Sequence, residues 1–430
     1  MNYTSRLQKV IPGGAHTYSR GEDQYPTNAP QILKRGKGCY VWDASGKKYL
    51  DYGMALRAVT IGYSHKPVND AAFQQIRCGN NLTRPSLIEL EAAELFTKII
   101  PSAEMVKFAK NGSSVTTAAV KLARAYTGRK YIAICAEHPF YSFDDWFIGS
   151  TVMSRGVPED LAMLTLKFHY NDIESLKELF RKYPKQIAGV LLEPATVTEP
   201  HHEFLQQIQA LCQKEGSVFI LDEMITGFRW HINGAQTYFH VKPDLCTFGK
   251  AMTNGFSVAA LGGKREIMKL GGIDDEGQER VFLLSATHGA EMCGLGAFIQ
   301  TMKEYKRLHV VSHLWEYGKK LTRGMNAISK NLNLQEYFFV EGYPCSPNYV
   351  TKDTSKINSF AYRTLFSQEM IRQGILMPWI ALSYSHSNQE LEKTLHAVEK
   401  ALRVYRNALE NGPEKYLHGR SIKPVFRKFN

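Results

Sequence analysis

Four short apolar segments of the chain each end in polar residues that could do chemistry. These endings are Asn111-Gly112-Ser113-Ser114, Glu193-Pro194, Asp222-Glu223 and Gly249-Lys250. A lysine in a partly buried loop can form a Schiff base once its amine is desolvated and deprotonated. An aspartate ending a buried strand can keep a pyridinium nitrogen protonated, and a Gly-Ser turn that opens a helix can bind a phosphate. Together these residue types indicate a site for a phosphorylated cofactor that acts as an electron sink.

Each ending also has a plainer explanation when it is considered alone. An isolated lysine is usually a surface charge, and an isolated aspartate is more often a helix cap or half of an ion pair. The Gly-Ser turn is equally well explained as a capped helix start. Four such endings in one sheet favour the chemical interpretation.

The elements that position these residues alternate between helices and short apolar strands. The pattern predicts a helix over 87–99, with apolar residues on one face, and strands over 106–109, 131–135, 188–192, 218–221, 245–248 and 258–261. Several of these strands are apolar throughout, as expected when helices cover both faces of a sheet. The fold class is therefore α/β with a mostly parallel central sheet flanked by helices. Ligands bind such sheets at the carboxyl ends of their strands.

Length and composition predict a folded protein of several parts. The chain has 430 residues, of which 44% are hydrophobic and 22% charged. We expect an N-terminal segment over 1–65, a large domain over 66–310 and a smaller C-terminal α/β domain over 311–430, whose last helix starts at Ser387 with a capping box to Glu390. No segment has the ~20 apolar residues of a membrane helix, and no secretory signal precedes Gly14, so a cytoplasmic location is expected.

Cysteine usage and charge disfavour a metal site and binding to nucleic acid or membrane. The seven cysteines are scattered without a C-x-x-C pair, which favours reduced thiols and predicts no metal site. The net charge of +12 is also scattered, with only a mild cluster near the C-terminus. It favours solubility or attraction of small anionic metabolites over binding of nucleic acid or membrane.

Two sequence blocks resemble one enzyme family. Residues 222–229, Asp-Glu-Met-Ile-Thr-Gly-Phe-Arg, and 243–250, Pro-Asp-Leu-Cys-Thr-Phe-Gly-Lys, are similar to the class III aminotransferases of PLP (pyridoxal 5′-phosphate) fold type I. The similarity is closest to the glutamate-1-semialdehyde 2,1-aminomutase branch. The interval from Asp222 to Lys250, 250 − 222 = 28 residues, matches that branch. Similar blocks at 11–14, 287–291 and 365–370 extend the resemblance over nearly the whole chain.

The resemblance implies a role for each site residue. Lys250 would carry PLP as a Schiff base and move the substrate proton, and Asp222 would pair with the pyridine nitrogen. The other implied cofactor-binding residues are Met224 against the ring, Phe140 stacked on it, Glu193 ordering the site, and Gly112, Ser113 and Ser114 on the phosphate. Thr287 would reach the phosphate of the neighbouring subunit, which implies a homodimer with shared active sites. Arg20 would meet a substrate carboxylate, with Arg57 and Arg229 as alternatives.

Departures from the family pattern bear on the substrate. The usual Ser-Gly-Thr-Glu-Ala is replaced by Asn111-Gly112-Ser113-Ser114-Val115, and the usual stacking tyrosine by Phe140. The Gly-rich gating loop of an aminomutase is not evident after Phe147. These changes favour an intermolecular aminotransferase over the aminomutase.

We therefore expect transfer from an amino acid donor to a small aldehyde, ketone or sugar-linked carbonyl acceptor. Surface-polysaccharide biosynthesis is a candidate pathway, because relatives with stretches similar to Trp146–Ser150 are often tied to it. An intramolecular aminomutase uses the same groups and stays an alternative. A catalytically silent protein of this fold, with a binding or regulatory role, is another alternative. The retained Lys250 and Asp222 count against it. A Rossmann dehydrogenase is disfavoured because no G-x-G-x-x-G follows an early strand.

Overall fold

The computed structural model describes residues 2–289 and 291–430; Ala290, within the 287–291 block, and Met1 lie outside the described residues. The chain forms two compact units. The first unit is Met1–His65 with Ser312–Arg427, and the second unit is Lys66–Val311 with Lys428–Asn430. The three-part division expected from the sequence stays a prediction. Across the described ranges, every helix is too short or too polar to traverse a lipid bilayer.

The strands follow the chain in this order: β1 Leu33–Lys37, β2 Tyr40–Asp43, β3 Lys48–Asp51, β4 Met105–Ala109, β5 Tyr131–Cys135, β6 Thr165–Phe168, β7 Ile187–Leu192, β8 Val218–Glu223, β9 Leu245–Phe248, β10 Ala259–Gly263, β11 Phe338–Glu341, β12 Asn348–Thr351 and β13 Ile375–Leu376.

The helices are α1 Tyr3–Val10, α2 Met54–Arg57, α3 Lys66–Arg77, α4 Leu87–Ile99, α5 Gly112–Thr127, α6 Asp145–Ile148, α7 Glu159–Ala162, α8 Ile173–Lys182, α9 Phe204–Glu215, α10 Ala235–Tyr238, α11 Arg265–Met268, α12 Met292–Arg307, α13 Val310–Asn331, α14 Phe360–Arg372 and α15 Asn388–Asn411. Short 3-10 turns occur at Pro12–Gly14, Tyr18–Arg20, Glu22–Gln24, Lys250–Thr253, Lys269–Gly271 and Pro413–Lys415.

The second unit is built on a seven-stranded sheet with the order β4-β10-β9-β8-β7-β5-β6. Neighbouring strands from β9 to β6 pair in parallel, whereas β10 runs antiparallel to both β9 and β4. Every residue of β7 and β8 is buried, because helices and loops cover both faces. The predicted α/β class with a mostly parallel sheet is confirmed.

The predicted elements differ from the observed ones mainly at their ends. The strand predicted to stop at Leu221 continues through Asp222 and Glu223, because both residues stay paired with Thr247 and Phe248 of β9. Helix α5 starts at Gly112, within the Gly-Ser turn that was expected to open it. Strand β6, at the edge of the sheet, was not predicted, because its short sequence Thr-Leu-Lys-Phe has little apolar character.

The first unit contains a four-stranded sheet with the order β1-β2-β3-β13 and a two-stranded sheet of β11 and β12. A turn over Asp43–Gly46 joins β2 to β3, and Asp43 accepts hydrogen bonds from the Ser45 and Lys47 N–H groups. Helix α15 begins after Ser387, whose side chain and backbone N–H both bond to Glu390, so the predicted capping box is present.

The short helical turn α2 of the first unit has an unusual backbone. Met54, Ala55, Leu56 and Arg57 all have positive φ, between 39° and 68°. L-residues avoid this left-handed conformation because their Cβ approaches the following carbonyl. Asp51 anchors the entry to the turn, since its carboxylate accepts the N–H groups of Gly53 (2.7 Å) and Met54 (3.1 Å).

Candidate active site

Asp222 lies buried at the carboxyl end of β8, with 2% of its surface exposed. Its Oδ1 accepts the backbone N–H of Met224 at 2.9 Å and the hydroxyl of Thr247 at 3.1 Å. Burial raises the pKa of the Asp222 carboxyl, against the opposing effects of the Met224 N–H, the Lys250 ammonium and the Thr247 hydroxyl. A buried carboxylate of this kind is stabilised in its charged form by a nearby cation.

Lys250 follows the neighbouring strand β9, and its positive charge acts on Asp222. Its φ of +36° is in the left-handed region, which a non-glycine residue rarely adopts. Such strain costs about 1–3 kcal/mol and is concentrated at functional sites, where the surrounding structure holds it in place. The lysine and the aspartate that the sequence singles out therefore lie together at the carboxyl ends of two adjacent strands.

The thioether of Met224 packs between two glycines. A Cβ placed on Gly112 would lie 2.8 Å from Met224 Sδ, and a Cβ placed on Gly249 would lie 2.7 Å from the same atom. Neither position can carry a side chain unless Met224 moves. The start of α5 and the residue before Lys250 are thus both held close to Met224, which brings three predicted site segments together.

The N-terminus of α5 has its own cap. Asn111 accepts the N–H of Ser114 at 2.9 Å and the Ser114 hydroxyl at 3.1 Å. The buried Ser113 hydroxyl accepts the N–H of Phe143 at 3.1 Å. The positive end of the helix dipole still points out of this turn, and the N–H groups of Gly112 and Ser113 precede the first intrahelical bonds. The turn can therefore bind an anion.

Two further predicted residues lie beyond the ends of β5 and β7. Glu193 is 4% exposed, and its backbone N–H donates to Nδ1 of His138 at 3.1 Å. Phe140 is 45% exposed and packs edge-on against Phe147, with ring centroids 5.8 Å apart. The exposed ring leaves Phe140 accessible for stacking.

Glu223, the neighbour of Asp222, is buried on the opposite side of β8. It accepts the backbone N–H groups of Ala235 and Gln236, the latter at 3.1 Å, and the Gln236 side-chain amide at 3.0 Å. Burial raises the pKa of Glu223 to about 7, although these hydrogen bonds lower it. Glu223 therefore fixes the start of α10 and does not share the environment of Lys250.

Thr287 is exposed, in the turn before α12. Its carbonyl accepts a hydrogen bond from the Asn81 side chain at 3.1 Å. Nearby, Glu291 pairs with Lys110 and accepts from Asn80 at 2.7 Å, and these contacts lower the pKa of Glu291. These bonds hold the turn, and Thr287 is exposed on this chain.

The two arginines predicted to bind substrate belong to the first unit, whereas the residues above belong to the second. Arg20 is exposed and lines a cavity of about 600 Å³ with Asp51, Leu56, Tyr63 and Trp379. Arg57 is half-buried in the left-handed turn. Arg229, of the second unit, is buried and donates to the carbonyl of Ile225.

Comparison with known proteins identifies the family. Residues 22–337 match the sequence profile described as aminotransferase class-III. The chain belongs to the class III aminotransferases. It is 31% identical, over 92% of its length and 97% of the relative's, to a glutamate-1-semialdehyde 2,1-aminomutase of Sulfurihydrogenibium azorense. It thus belongs to a family of PLP-dependent enzymes with small-molecule substrates, as its two motif blocks predict.

Solved structures of similar proteins have the same fold. The PLP internal aldimine form of the FumI protein of Sphingopyxis sp. is 25% identical, with a TM-score of 0.87 over 97% of this chain and 99% of that one. An omega-transaminase of Sphaerobacter thermophilus, 24% identical, has a TM-score of 0.82 over 94% of this chain and 97% of its own. The predicted PLP fold type I is confirmed.

The residues of the second unit fit PLP as their cofactor. The buried Asp222 gains from a cationic partner, which a protonated pyridine ring would provide. Met224 lies between Gly112 and Gly249, so the anion-binding turn and the lysine are a short distance apart on either side of one side chain.

The sequence did not indicate every residue of this site. It gave no reason to assign Thr247 to Asp222, although a hydroxyl near the end of the adjacent strand is a usable signal once the strands are aligned. It also gave no reason to single out His138 and Tyr141. Their hydrogen bond of 2.9 Å depends on the path of the loop that contains them, which has no local signature.

Proposed function

We propose that this class III enzyme is an intermolecular aminotransferase that carries PLP on Lys250. The observation that carries the proposal is the pair of the buried Asp222 and the half-buried Lys250 at the ends of adjacent strands, with Lys250 held in a strained backbone. A silent binding protein of the same fold would have no use for the strain at Lys250 or for the cost of burying Asp222.

Bound PLP supplies an electron sink for the carbon that bears the amino group. Lys250 would move the substrate proton, for which its amine must be neutral. Asp222 would keep the ring nitrogen protonated, and its hydrogen bonds from Met224 and Thr247 hold its Oδ1 in place. Met224 and Phe140 would contact the ring, and Glu193 would order the loop beside it.

The phosphate is proposed to bind at the start of α5, on Gly112, Ser113 and Ser114. Because Asn111 already accepts from both the N–H and the hydroxyl of Ser114, the N–H groups of Gly112 and Ser113 and the Ser113 hydroxyl are the first donors on this side. A dianion needs donors on its other side as well, since an unsatisfied buried charge is costly. The exposed Thr287 of a second copy would supply one, so the active enzyme is proposed to be a homodimer with shared sites.

The substrates are proposed to be an amino acid donor and a small aldehyde, ketone or sugar-linked carbonyl acceptor. Arg20, which lines the 600 Å³ cavity of the first unit, is our first choice for the substrate carboxylate, with Arg57 second. Arg229 is less suitable because its guanidinium is buried against the Ile225 carbonyl. A role in surface-polysaccharide biosynthesis fits a sugar-linked acceptor.

An intramolecular aminomutase is the second candidate, and a specific finding favours it. Relatives that match the chain almost from end to end bear that name, among them the protein of Sulfurihydrogenibium azorense at 31% identity. The replacement of the stacking tyrosine by Phe140 and the altered phosphate turn favour the aminotransferase.

A half-reaction screen tests the proposal. Candidate amino acids and amines are added singly to the holoenzyme, the visible absorption of the bound cofactor is followed, and released carbonyl compounds are identified by mass spectrometry. We expect at least one amino acid to bleach the band and to yield one equivalent of its oxo acid. A protein that isomerises an amino aldehyde without releasing a carbonyl product would be an aminomutase, and one that binds PLP but reacts with no amine would be a silent relative.

A further inference from the structure

His138 is a buried histidine that the proposed function leaves without a role. It is 4% exposed and lies three residues after β5. Its Nδ1 is 3.1 Å from the backbone nitrogen of Glu193 and 2.9 Å from the hydroxyl of Tyr141. Both distances are those of hydrogen bonds, so one ring nitrogen of His138 is fully engaged.

These contacts settle where the imidazole carries its proton. A backbone N–H can only donate, so Nδ1 must present its lone pair to Glu193 and cannot itself be protonated. The Tyr141 hydroxyl therefore donates to Nδ1 as well. Burial lowers the pKa of His138 to about 4, which keeps the ring neutral at physiological pH. The proton of the neutral ring is then on Nε2.

The Nε2–H of His138 lacks an acceptor. The atom is buried, and within residues 2–289 and 291–430 it makes no hydrogen bond. Buried donors in folded proteins are nearly always paired, and an exception at a functional site calls for a ligand or an ordered water. Since Nδ1 faces the Glu193 N–H, Nε2 is directed away from that bond.

The Nε2–H donor lies on the same side of the sheet as Asp222 and Glu193, at the carboxyl ends of the parallel strands. Strands β5, β7 and β8 are adjacent, and their carboxyl ends lead to His138, Glu193 and Asp222. Tyr141, which bonds to His138, is fully buried, and burial together with the charges of Cys135, Glu193 and Asp222 raises the pKa of its phenol. The imidazole thus belongs to one buried polar cluster with the residue assigned to the pyridine nitrogen.

The polar groups of PLP leave one acceptor unassigned. The proposed function gives its ring nitrogen to Asp222, its phosphate to the start of α5 and its carbonyl carbon to Lys250. The phenolic oxygen, which carries negative charge, has no donor among those assignments. We propose that His138 is a cofactor-binding residue whose Nε2–H donates to the phenolic oxygen of bound PLP. This inference rests on the proposed placement of the cofactor by Asp222 and Lys250.

Two replacements of His138 separate this role from a purely structural one. In His138→Asn the amide oxygen takes the place of Nδ1 and still accepts from the Glu193 N–H. No donor remains at the position of Nε2. In His138→Gln the amide nitrogen reaches about as far as Nε2 and restores a donor. His169→Asn is the matched control, because the His169 side chain is largely exposed and pairs with Glu137. Equilibrium dialysis gives the dissociation constants for PLP and for 3-deoxypyridoxal 5′-phosphate, which lacks the phenolic oxygen. Thermal unfolding of the cofactor-free proteins checks that each variant is folded.

We expect His138→Asn to weaken PLP binding about 10-fold or more, as for a lost hydrogen bond to a charged group, and His138→Gln to recover most of it. The affinity for 3-deoxypyridoxal 5′-phosphate should be the same in wild type and His138→Asn, and His169→Asn should match wild type throughout. Equal losses for both cofactors, or a Gln variant that is no better than Asn, would overturn the assignment while leaving Lys250 and Asp222 in their roles.

A measurement on the unaltered protein covers the case in which the variants do not fold. In wild type labelled with ¹⁵N-histidine, the His138 Nε2–H resonance should move downfield when PLP binds and less so when 3-deoxypyridoxal 5′-phosphate binds. Identical shifts with the two compounds would refute the contact. Failure of wild type to bind PLP at all would refute the proposed function, and this inference with it.

Discussion

Asp222 and Thr247 are opposite each other in the parallel pairing of β8 with β9, and the Thr247 hydroxyl donates to Asp222 Oδ1 at 3.1 Å. Thr247 precedes Lys250 by three residues, so one short segment both orients the carboxylate and carries the lysine. The position of the acid relative to the amine is therefore fixed by the register of two buried strands, which is more rigid than a loop.

Replacement of the lysine tests the covalent attachment. Lys250→Ala should abolish turnover and the cofactor adduct that borohydride reduction traps, because Lys250 is the lysine whose charge acts on Asp222. The protein should stay folded, with a somewhat lower melting temperature because the buried Asp222 loses a nearby cation. The adduct is mapped by peptide mass spectrometry, with Lys177→Ala, an exposed lysine, as the control. A reducible adduct elsewhere together with normal turnover would contradict the assignment.

Removal of the charge at the ring nitrogen tests the electron sink. Asp222→Asn keeps the shape of the side chain but not the charge that favours the protonated ring. We expect kcat to fall by roughly two to three orders of magnitude, or ~3–4 kcal/mol of transition-state stabilisation. The measurement is the single-turnover rate with an amino donor found in the half-reaction screen. A near-normal rate in the Asn variant would exclude this role for Asp222.

The exposed Thr287 tests the shared site. Thr287→Val should weaken cofactor binding by about 1–3 kcal/mol without a change in which substrates react, and Ser285→Ala, an exposed neighbour, should have no effect. Mixing Thr287→Val chains with Lys250→Ala chains should restore activity in part, because one of the two sites in a mixed dimer then carries neither defect. A fully active monomer in light scattering, or no recovery despite proven subunit exchange, would rule out the shared site.

Glu223 should make stability depend on pH. Its pKa is raised by burial from 4.5 to about 7, so the folded chain binds this proton more tightly than the unfolded chain. The free energy of unfolding that it contributes is therefore greatest below about pH 4.5 and falls as pH rises toward about 7. Glu223→Gln, which cannot ionise, should flatten this part of the profile. The free energy of unfolding of wild type and of Glu223→Gln is measured with urea at pH 5 and at pH 7.5. Equal losses of stability in the two proteins between these pH values would show that Glu223 is not the group that titrates.

The sequence predicted the parts of the site that local patterns determine. Apolar runs identify β5, β8 and β9, and the residues after them identify Asp222 and Lys250, because burial and strand ends leave a direct trace in the chain. The bond between Glu193 and His138 has no such trace, since it joins loops 55 residues apart whose paths depend on packing. Local propensity even misleads at 54–57, where Met-Ala-Leu-Arg is a good right-handed helical sequence and the backbone is left-handed.

That left-handed turn limits how the enzyme can be re-engineered. Ala55 and Leu56 line the cavity that contains Arg20, so they are natural positions for a library aimed at new substrates. Their side chains depend on a backbone held by Asp51 and by the Trp379 indole, which donates to the Gly53 carbonyl at 3.2 Å. A β-branched replacement would disfavour the turn itself, whereas glycine would ease it. A screen at these positions would therefore select for backbone tolerance before it selects for specificity, and libraries should be restricted to residues that accept positive φ.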